Sequence, residues 1–298
     1  MNRRRADAAL VLNTILWGAT FVLIKAALQN VTPVLFLLCR FSLAALALAL
    51  VFRKHLKPWS PAPDPRPLIP GLFLFAGFFF QTQGLRFTTP AKSAFLTGLT
   101  TVLVPFVASI VYKTRPQISE VVGALVATLG MGLMTLTGPI GSIGRGDVLT
   151  LICAVAFALH IVTLGHYSAV VSFPVLSVAQ VGSAAVCALL LLPFAEAPRI
   201  EWHPLTVWTI LITGLLCTAL AFTIQAWAQR FTTSTRTALI YALEPVVAWI
   251  TAYVVAGETL SGRAASGAGL ILAGVLLVEL KPLETGAHPR VQRRTEGL

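Results

Sequence analysis

Two ionisable side chains stand deep inside long apolar stretches of this sequence: Glu244, followed by Pro245, and His160. A carboxylate at mid-bilayer depth costs about 2.5–3.5 kcal/mol or more, so it belongs where water, a partner or a proton reaches it. Two roles are open to Glu244. It is either a substrate-amine contact or protonation site that couples movement, or a carboxylate braced by helix-end donors. His160 could take up a proton near neutral pH or hold a structural hydrogen bond between helices. Neither residue has a partner that would make catalytic chemistry: an intramembrane enzyme needs a nucleophile with a base, or paired acids, and these two occupy separate segments. No second His or Cys stands at metal-ligand spacing and no Gly-rich nucleotide loop is present, so no metal and no cofactor are expected.

Aromatic and hydroxyl residues form the remaining candidates. Trp17 falls near the middle of the first apolar run, whereas Trp ordinarily sits at a membrane interface. There it offers a stacking face and an indole donor. Thr97 and Thr100, with Ser93 and Thr101, give one helix face a polar stripe, and Tyr241 and Glu244 share a face likewise. Phe79 and Phe157 would add apolar contact, and Gln83 is a further candidate contact. Gln81 and Gln225 are expected to bridge helices, since side-chain amides do so within membranes. Lys25 is expected to snorkel to headgroups. Arg40 lies deeper and either bonds a backbone carbonyl or carries an anionic substrate.

Long apolar elements must position these side chains. Of 298 residues, 56% are hydrophobic and 11% charged, against about 25% charged in ordinary soluble domains. That composition excludes a water-soluble globule. Ten apolar segments are predicted, at about 6–28, 33–52, 68–86, 91–112, 118–137, 147–165, 173–194, 205–228, 236–256 and 262–280. Their length points to helices rather than barrel strands. The first run is too long for a cleaved signal and reads as a retained span. The net charge of +11 comes from clusters flanking apolar runs, which fits anionic lipid and not nucleic acid. With the amino terminus in the cytoplasm, 15 of the 22 Lys and Arg fall inside and 5 outside, so both termini are expected inside a cell (inner or plasma) membrane. Cys39, Cys153, Cys187 and Cys217 read as small buried hydrophobes.

An internal repeat organises the whole. Gln81-Thr-Gln-Gly-Leu-Arg-Phe-Thr-Thr matches Gln225-Ala-Trp-Ala-Gln-Arg-Phe-Thr-Thr, and the offset of 144 continues without a gap for about fifty residues. It pairs Lys92 with Arg236, Gly123 with Gly267 and Gly130 with Gly274, glycines that permit close helix packing. It also carries the Thr97/Thr100 stripe onto Tyr241/Glu244. A weaker match joins Trp17–Phe21 to Cys153–Phe157. The division is a short amino terminus (1–5), a first five-helix repeat (6–137), a linker (138–146), a second repeat (147–280) and a polar tail (281–298). Five spans is an odd number, so the second copy enters the bilayer from the opposite side. Two inverted repeats of this kind make an alternating-access architecture with a midplane site between the halves.

Several motifs resemble the ten-helix, EamA-type members of the drug/metabolite transporter superfamily. They are Trp17-Gly18-Ala19-Thr20-Phe21 with Lys25, Pro33 with Arg40, Leu243-Glu244-Pro245-Val246, and Gly257-Glu258-Thr259-Leu260 followed by Gly267 and Gly274. The first half departs from the pattern, with Thr100-Thr101 in place of Glu-Pro and Lys113-Thr114 in place of Gly-Glu. The resemblance implies an all-α integral membrane protein that is a secondary carrier, not an enzyme, moving a small metabolite such as an amino acid, as exporter or importer. It implies a cavity lined by spans 1, 3, 4, 6, 8 and 9. Multidrug or nucleotide-sugar transport is the alternative, and the chain is expected to act as a monomer or weak homodimer.

Overall fold

The computed structural model describes residues 2–18, 20–56, 65–113, 115–136, 143–247, 250 and 261–279. Among them there is no β-strand, only an isolated bridge between Val31 and Ile200. The helices are α1 (Asn2–Trp17), α2 (Thr20–Ala27), α3 (Pro33–Val51), α4 (Ile69–Leu85), α5 (Pro90–Gly98), α6 (Thr100–Tyr112) and α7 (Ile118–Thr135) in the first half. In the second half they are α8 (Arg145–Ser168), α9 (Phe173–Leu191), α10 (Pro204–Leu211), α11 (Ala221–Ala228), α12 (Ser234–Tyr241) and α13 (Gly262–Glu279), with a π-helical stretch, Ile212–Leu220, joining α10 to α11. Eight helical stretches among the described residues are long and apolar enough to cross a bilayer, and α13 is a shorter apolar helix. The expectations for Glu258, for the loops at 57–64 and 137–142 and for the tail lie outside the described residues.

Helix boundaries follow local chemistry. Pro33, Pro90, Pro174 and Pro204 sit in the first turn of their helices, where a missing N–H costs nothing. Thr89 and Thr233, repeat-equivalent residues, cap α5 and α12 by accepting from the backbone N–H of Lys92 and Arg236. Lys113 ends α6 in the left-handed region at φ 54°; its repeat equivalent is Gly257, the residue type that adopts this conformation without strain.

The packing of helices repeats under exchange of the halves. The third span (α4) packs on the sixth (α8), and equivalently the eighth (α10–α11) packs on the first (α1–α2). Likewise α4 lies against α9 as the eighth span lies against α3, and α5–α6 lies against α8 as α12 lies against α1. The pairs α3 with α9, α6 with α12 and α7 with α13 are their own equivalents.

The last of these fixes the sense of the repeat. A Cβ built on Gly123 would lie 2.7 Å from the Gly274 carbonyl oxygen, and one on Gly130 would lie 2.5 Å from that of Gly267. Residue numbers rise along α7 as they fall along α13, so two equivalent helices run antiparallel. Only an axis lying across the helices relates them that way, which makes the repeat inverted. Backbone meets backbone at both crossings, so any side chain larger than hydrogen would push the helices apart.

The fourth and ninth segments, each read from the sequence as one apolar run, are interrupted, at Leu99 between α5 and α6 and at Ala242–Leu243 after α12. These positions are equivalent under the offset of 144. Pro245 has no N–H for the carbonyl of Tyr241, and its ring crowds that carbonyl, so the backbone turns just before Glu244. Ala242 and Leu243 instead close shorter turns onto Leu239 and Ile240. In the first half the break falls beside Gly98, a weak helix former. The first span also breaks, after Trp17.

Candidate functional site

A cavity of about 430 Å³ lies at the meeting of the two halves. Residues from α1–α2, α3, α4, α5–α6, α7 and α8 line it together with residues of α11 and α12 and with Glu244 and Pro245. Ligand pockets for small molecules typically measure about 300–1,000 Å³. Residues flanking the two helix breaks, Gly98 and Thr100 in one half and Tyr241 and Glu244 in the other, border this space.

Of the candidate contacts, Trp17, Thr97, Thr100, Phe157, His160, Tyr241 and Glu244 all line this cavity. Phe79 and Gln83 do not. Phe78 and Gln81 turn toward the cavity, and the residues one and two positions beyond them sit about 100° and 200° round the helix. Phe79 packs instead on Phe75 and Phe80, and Gln83 accepts a 3.4 Å hydrogen bond from Arg86. Gln81 and Gln225, read as helix-bridging amides, both reach the cavity wall. Gln81 donates to Thr97 Oγ1 at 3.3 Å, and Gln225 donates to Gln229 Oε1 at 3.3 Å while its own carbonyl oxygen has no partner.

An aromatic cluster forms the apolar wall. Trp17 stands edge-on to Tyr241 with centroids 4.9 Å apart, and 5.6 Å from Phe222. Its indole N–H donates to the Cys217 carbonyl at 2.9 Å. Cys217 belongs to the π-helical stretch, whose wider turns leave carbonyls for outside donors. Asn13, one turn before Trp17, donates to Tyr241 Oη at 3.1 Å and to the Ala221 carbonyl at 2.9 Å. Phe78 and Phe222 are equivalent in the repeat and meet edge-on at 5.9 Å, on the axis between the halves. The sequence signal that marks them is their pairing under the offset of 144, and the signal that marks Asn13 is its polarity within the first apolar run.

Polar groups at the site differ in how well they are satisfied. His160, 1% exposed, shares a 2.9 Å hydrogen bond with Gln180, whose amide donates to the Phe222 carbonyl at 3.3 Å. Thr100 and Thr101 donate to the carbonyls of Ala154 and Ala238. Glu244, by contrast, borders the cavity with no hydrogen bond or ion pair among the described residues. Among the described residues Arg40, 2% exposed, has one hydrogen bond, from Nε to Thr218 Oγ1 at 2.7 Å, a side-chain hydroxyl where a backbone carbonyl was one of the two expected roles. No three His, Cys, Asp or Glu come together among the described residues in a way that could hold a metal ion.

Ion pairs at the two ends of the bundle obey the repeat as well. Lys92 Nζ lies 2.6 Å from Asp147 Oδ2, and Thr88 Oγ1 donates to Asp147 Oδ1 at 2.9 Å, tying α5 to α8. At the other end Arg236 Nη2 lies 3.9 Å from Asp7, between α12 and α1. Among the described residues, the cavity's lining differs between the two ends. Ala91, at the start of α5, is exposed and borders it, whereas the equivalent Thr235 at the start of α12 is 4% exposed.

Comparison with known proteins decides the family. A model of the EamA-like transporter family matches twice, over residues 4–136 and 144–280. The chain belongs to that family. An uncharacterized transporter of Archaeoglobus fulgidus is 34% identical over 283 residues, covering 94% of this chain and 88% of the relative. A probable amino-acid metabolite efflux pump of Salmonella typhimurium is 28% identical over 295 residues, covering 93% and 95% of the two chains. A solved crystal structure superposes with a TM-score of 0.75 at 19% identity, over 93% of this EamA-like chain and 98% of the other, and so shares its fold. This EamA-like protein is therefore a multi-pass membrane transporter with a small-molecule substrate.

Proposed function

We propose that this EamA-like protein is a secondary carrier that moves a small, partly apolar metabolite of the amino-acid kind by alternating access. The observation that carries the reading is the cavity between two inverted halves, bordered by residues flanking paired helix breaks and by the carboxylate of Glu244, which has no partner among the described residues. Inverted repeats supply two facing states by exchanging the conformations of their halves. The contrast between exposed Ala91 and buried Thr235 supports a state open at the end where α5 begins and closed where α12 begins. With both termini cytoplasmic, that open end faces outward. Trp17, Phe157 and Tyr241 receive the apolar part of the cargo, and Glu244 carries the charge that couples its movement. The name of the Salmonella relative supports an amino-acid metabolite and the export direction.

The test is counterflow in proteoliposomes with a panel of amino acids, with and without a pH gradient. Accumulation of at least one amino acid, lost in Glu244→Gln, is the expected result. Absence of counterflow for the whole panel would refute the cargo assignment, and unchanged counterflow in Glu244→Gln would remove the coupling role.

A further inference from the structure

The transport reading above leaves open which chemical group the cargo must carry, and Arg40 bears on it. Arg40 is the eighth residue of α3 and is 2% exposed, so its side chain does not reach the headgroup layer as long basic side chains ordinarily do. Its guanidinium carbon sits 4.1 Å from the centroid of Phe78, and the hydroxyl that accepts from Nε, Thr218 Oγ1, itself donates to the Thr213 carbonyl at 2.7 Å. Those contacts fix the fork in place without neutralising it. Nη1 has no hydrogen-bond partner, and no carboxylate lies within ion-pair distance of the group among the described residues. A guanidinium keeps its proton even when buried. The cost of an unanswered cation at this depth is high, and such groups in membrane proteins mark substrate pathways.

Arg40 and Glu244, a basic and an acidic side chain, border the same cavity and form no pair with one another among the described residues. A cargo with both charges answers both. We infer that Arg40 is a carboxylate-binding subsite, so that the cargo's carboxylate docks on the guanidinium while its ammonium faces Glu244. Arg suits this task because its planar fork matches a carboxylate with two parallel N–H donors. The apolar remainder of such a cargo meets Trp17 and Phe157.

The test measures binding to the full chain in lipid nanodiscs. The probes are leucine and phenylalanine, their decarboxylated amines (isoamylamine and phenethylamine) and their deaminated acids (isocaproate and hydrocinnamate). For the wild type, an amino acid is expected to bind about 10- to 100-fold more tightly than its amine, the range for a charge-assisted contact. In Arg40→Gln that preference should shrink to within about threefold, while Arg40→Lys should keep part of it. Equal binding of amino acid and amine by the wild type, or an undiminished preference in Arg40→Gln, overturns the assignment and leaves the carrier reading standing. Binding of none of the six probes, in a protein whose counterflow moves a cargo without a carboxylate, overturns the amino-acid reading and this subsite together. Should Arg40→Gln fail to insert, the wild-type ratio and the Arg40→Lys ratio decide.

Discussion

Glu244→Gln separates a carboxylate used by cargo from one that braces the fold, because the two readings predict opposite signs of stability. A bracing carboxylate holds donors, and removing a hydrogen-bonded charge costs about 1.5–3 kcal/mol per bond lost. Glu244 holds no such donor among the described residues and borders a cavity of about 430 Å³. Where the carboxyl is ionised, a neutral amide of the same shape there relieves part of the roughly 2.5–3.5 kcal/mol that a charged group costs at mid-membrane. The cavity is open at one end, so water already recovers some of that, leaving a gain of about 1–2 kcal/mol. For a chain of this size the melting temperature in detergent should rise by about 2–6 °C, while counterflow falls at least tenfold. Inactivation with stabilisation is the pattern expected where function needs an unfavourable group. A drop of several degrees, or full transport at any stability, would refute the reasoning.

On a cysteine-free background, Ala91→Cys should react with a membrane-impermeant maleimide from outside whole cells, whereas Thr235→Cys should be protected; equal labelling would remove the open-and-closed asymmetry. Gly130→Ala should destabilise by about 1–3 kcal/mol, since its Cβ would meet the Gly267 carbonyl and Ile271 at 2.5–2.8 Å. Gly182→Ala, with nothing within 4 Å of the added carbon, should be neutral or stabilising by up to about 1 kcal/mol in the same melting assay. Asp147→Asn and Lys92→Met should each cost about 1–2 kcal/mol, the lysine's partial exposure screening the pair. The double variant should cost clearly less than their sum, as a double-mutant cycle of melting temperatures would register.

Much of the fold was legible because membrane spans and repeats are written in composition and offset. The apolar segments, the pairing of Gly123 and Gly130 with Gly267 and Gly274, and the shared wall of Thr97/Thr100 and Tyr241/Glu244 all follow from one alignment of the chain with itself. What the pattern does not carry is rotation about a helix axis. Phe79 and Gln83 differ from Phe78 and Gln81 by one or two positions, and in a helix apolar all round no polar face says which residue turns inward. The breaks at Leu99 and Ala242–Leu243 were hidden for a related reason: both lie inside unbroken apolar runs, and the cue at Pro245 points to a freed carbonyl without saying whether the helix bends or stops. The lack, among the described residues, of a carboxylate within ion-pair distance of Arg40 depends on contacts among segments far apart in sequence and could only be seen once they were assembled.

If the chain works by alternating access and its two copies were identical, it would spend equal time in each facing state in a symmetric bilayer, because the axis converts one into the other. Each position at which the copies have diverged, Thr100 against Glu244, Lys92 against Arg236, Ile24 against His160, tilts that balance. A net difference of only about 1.4 kcal/mol makes one state tenfold the more populated. On the alternating-access reading, divergence between the copies is thus where the resting orientation of the empty carrier is set, and restoring identity at Lys92 and Arg236, neither of which lines the cavity, is a way to shift it without touching the cargo's path.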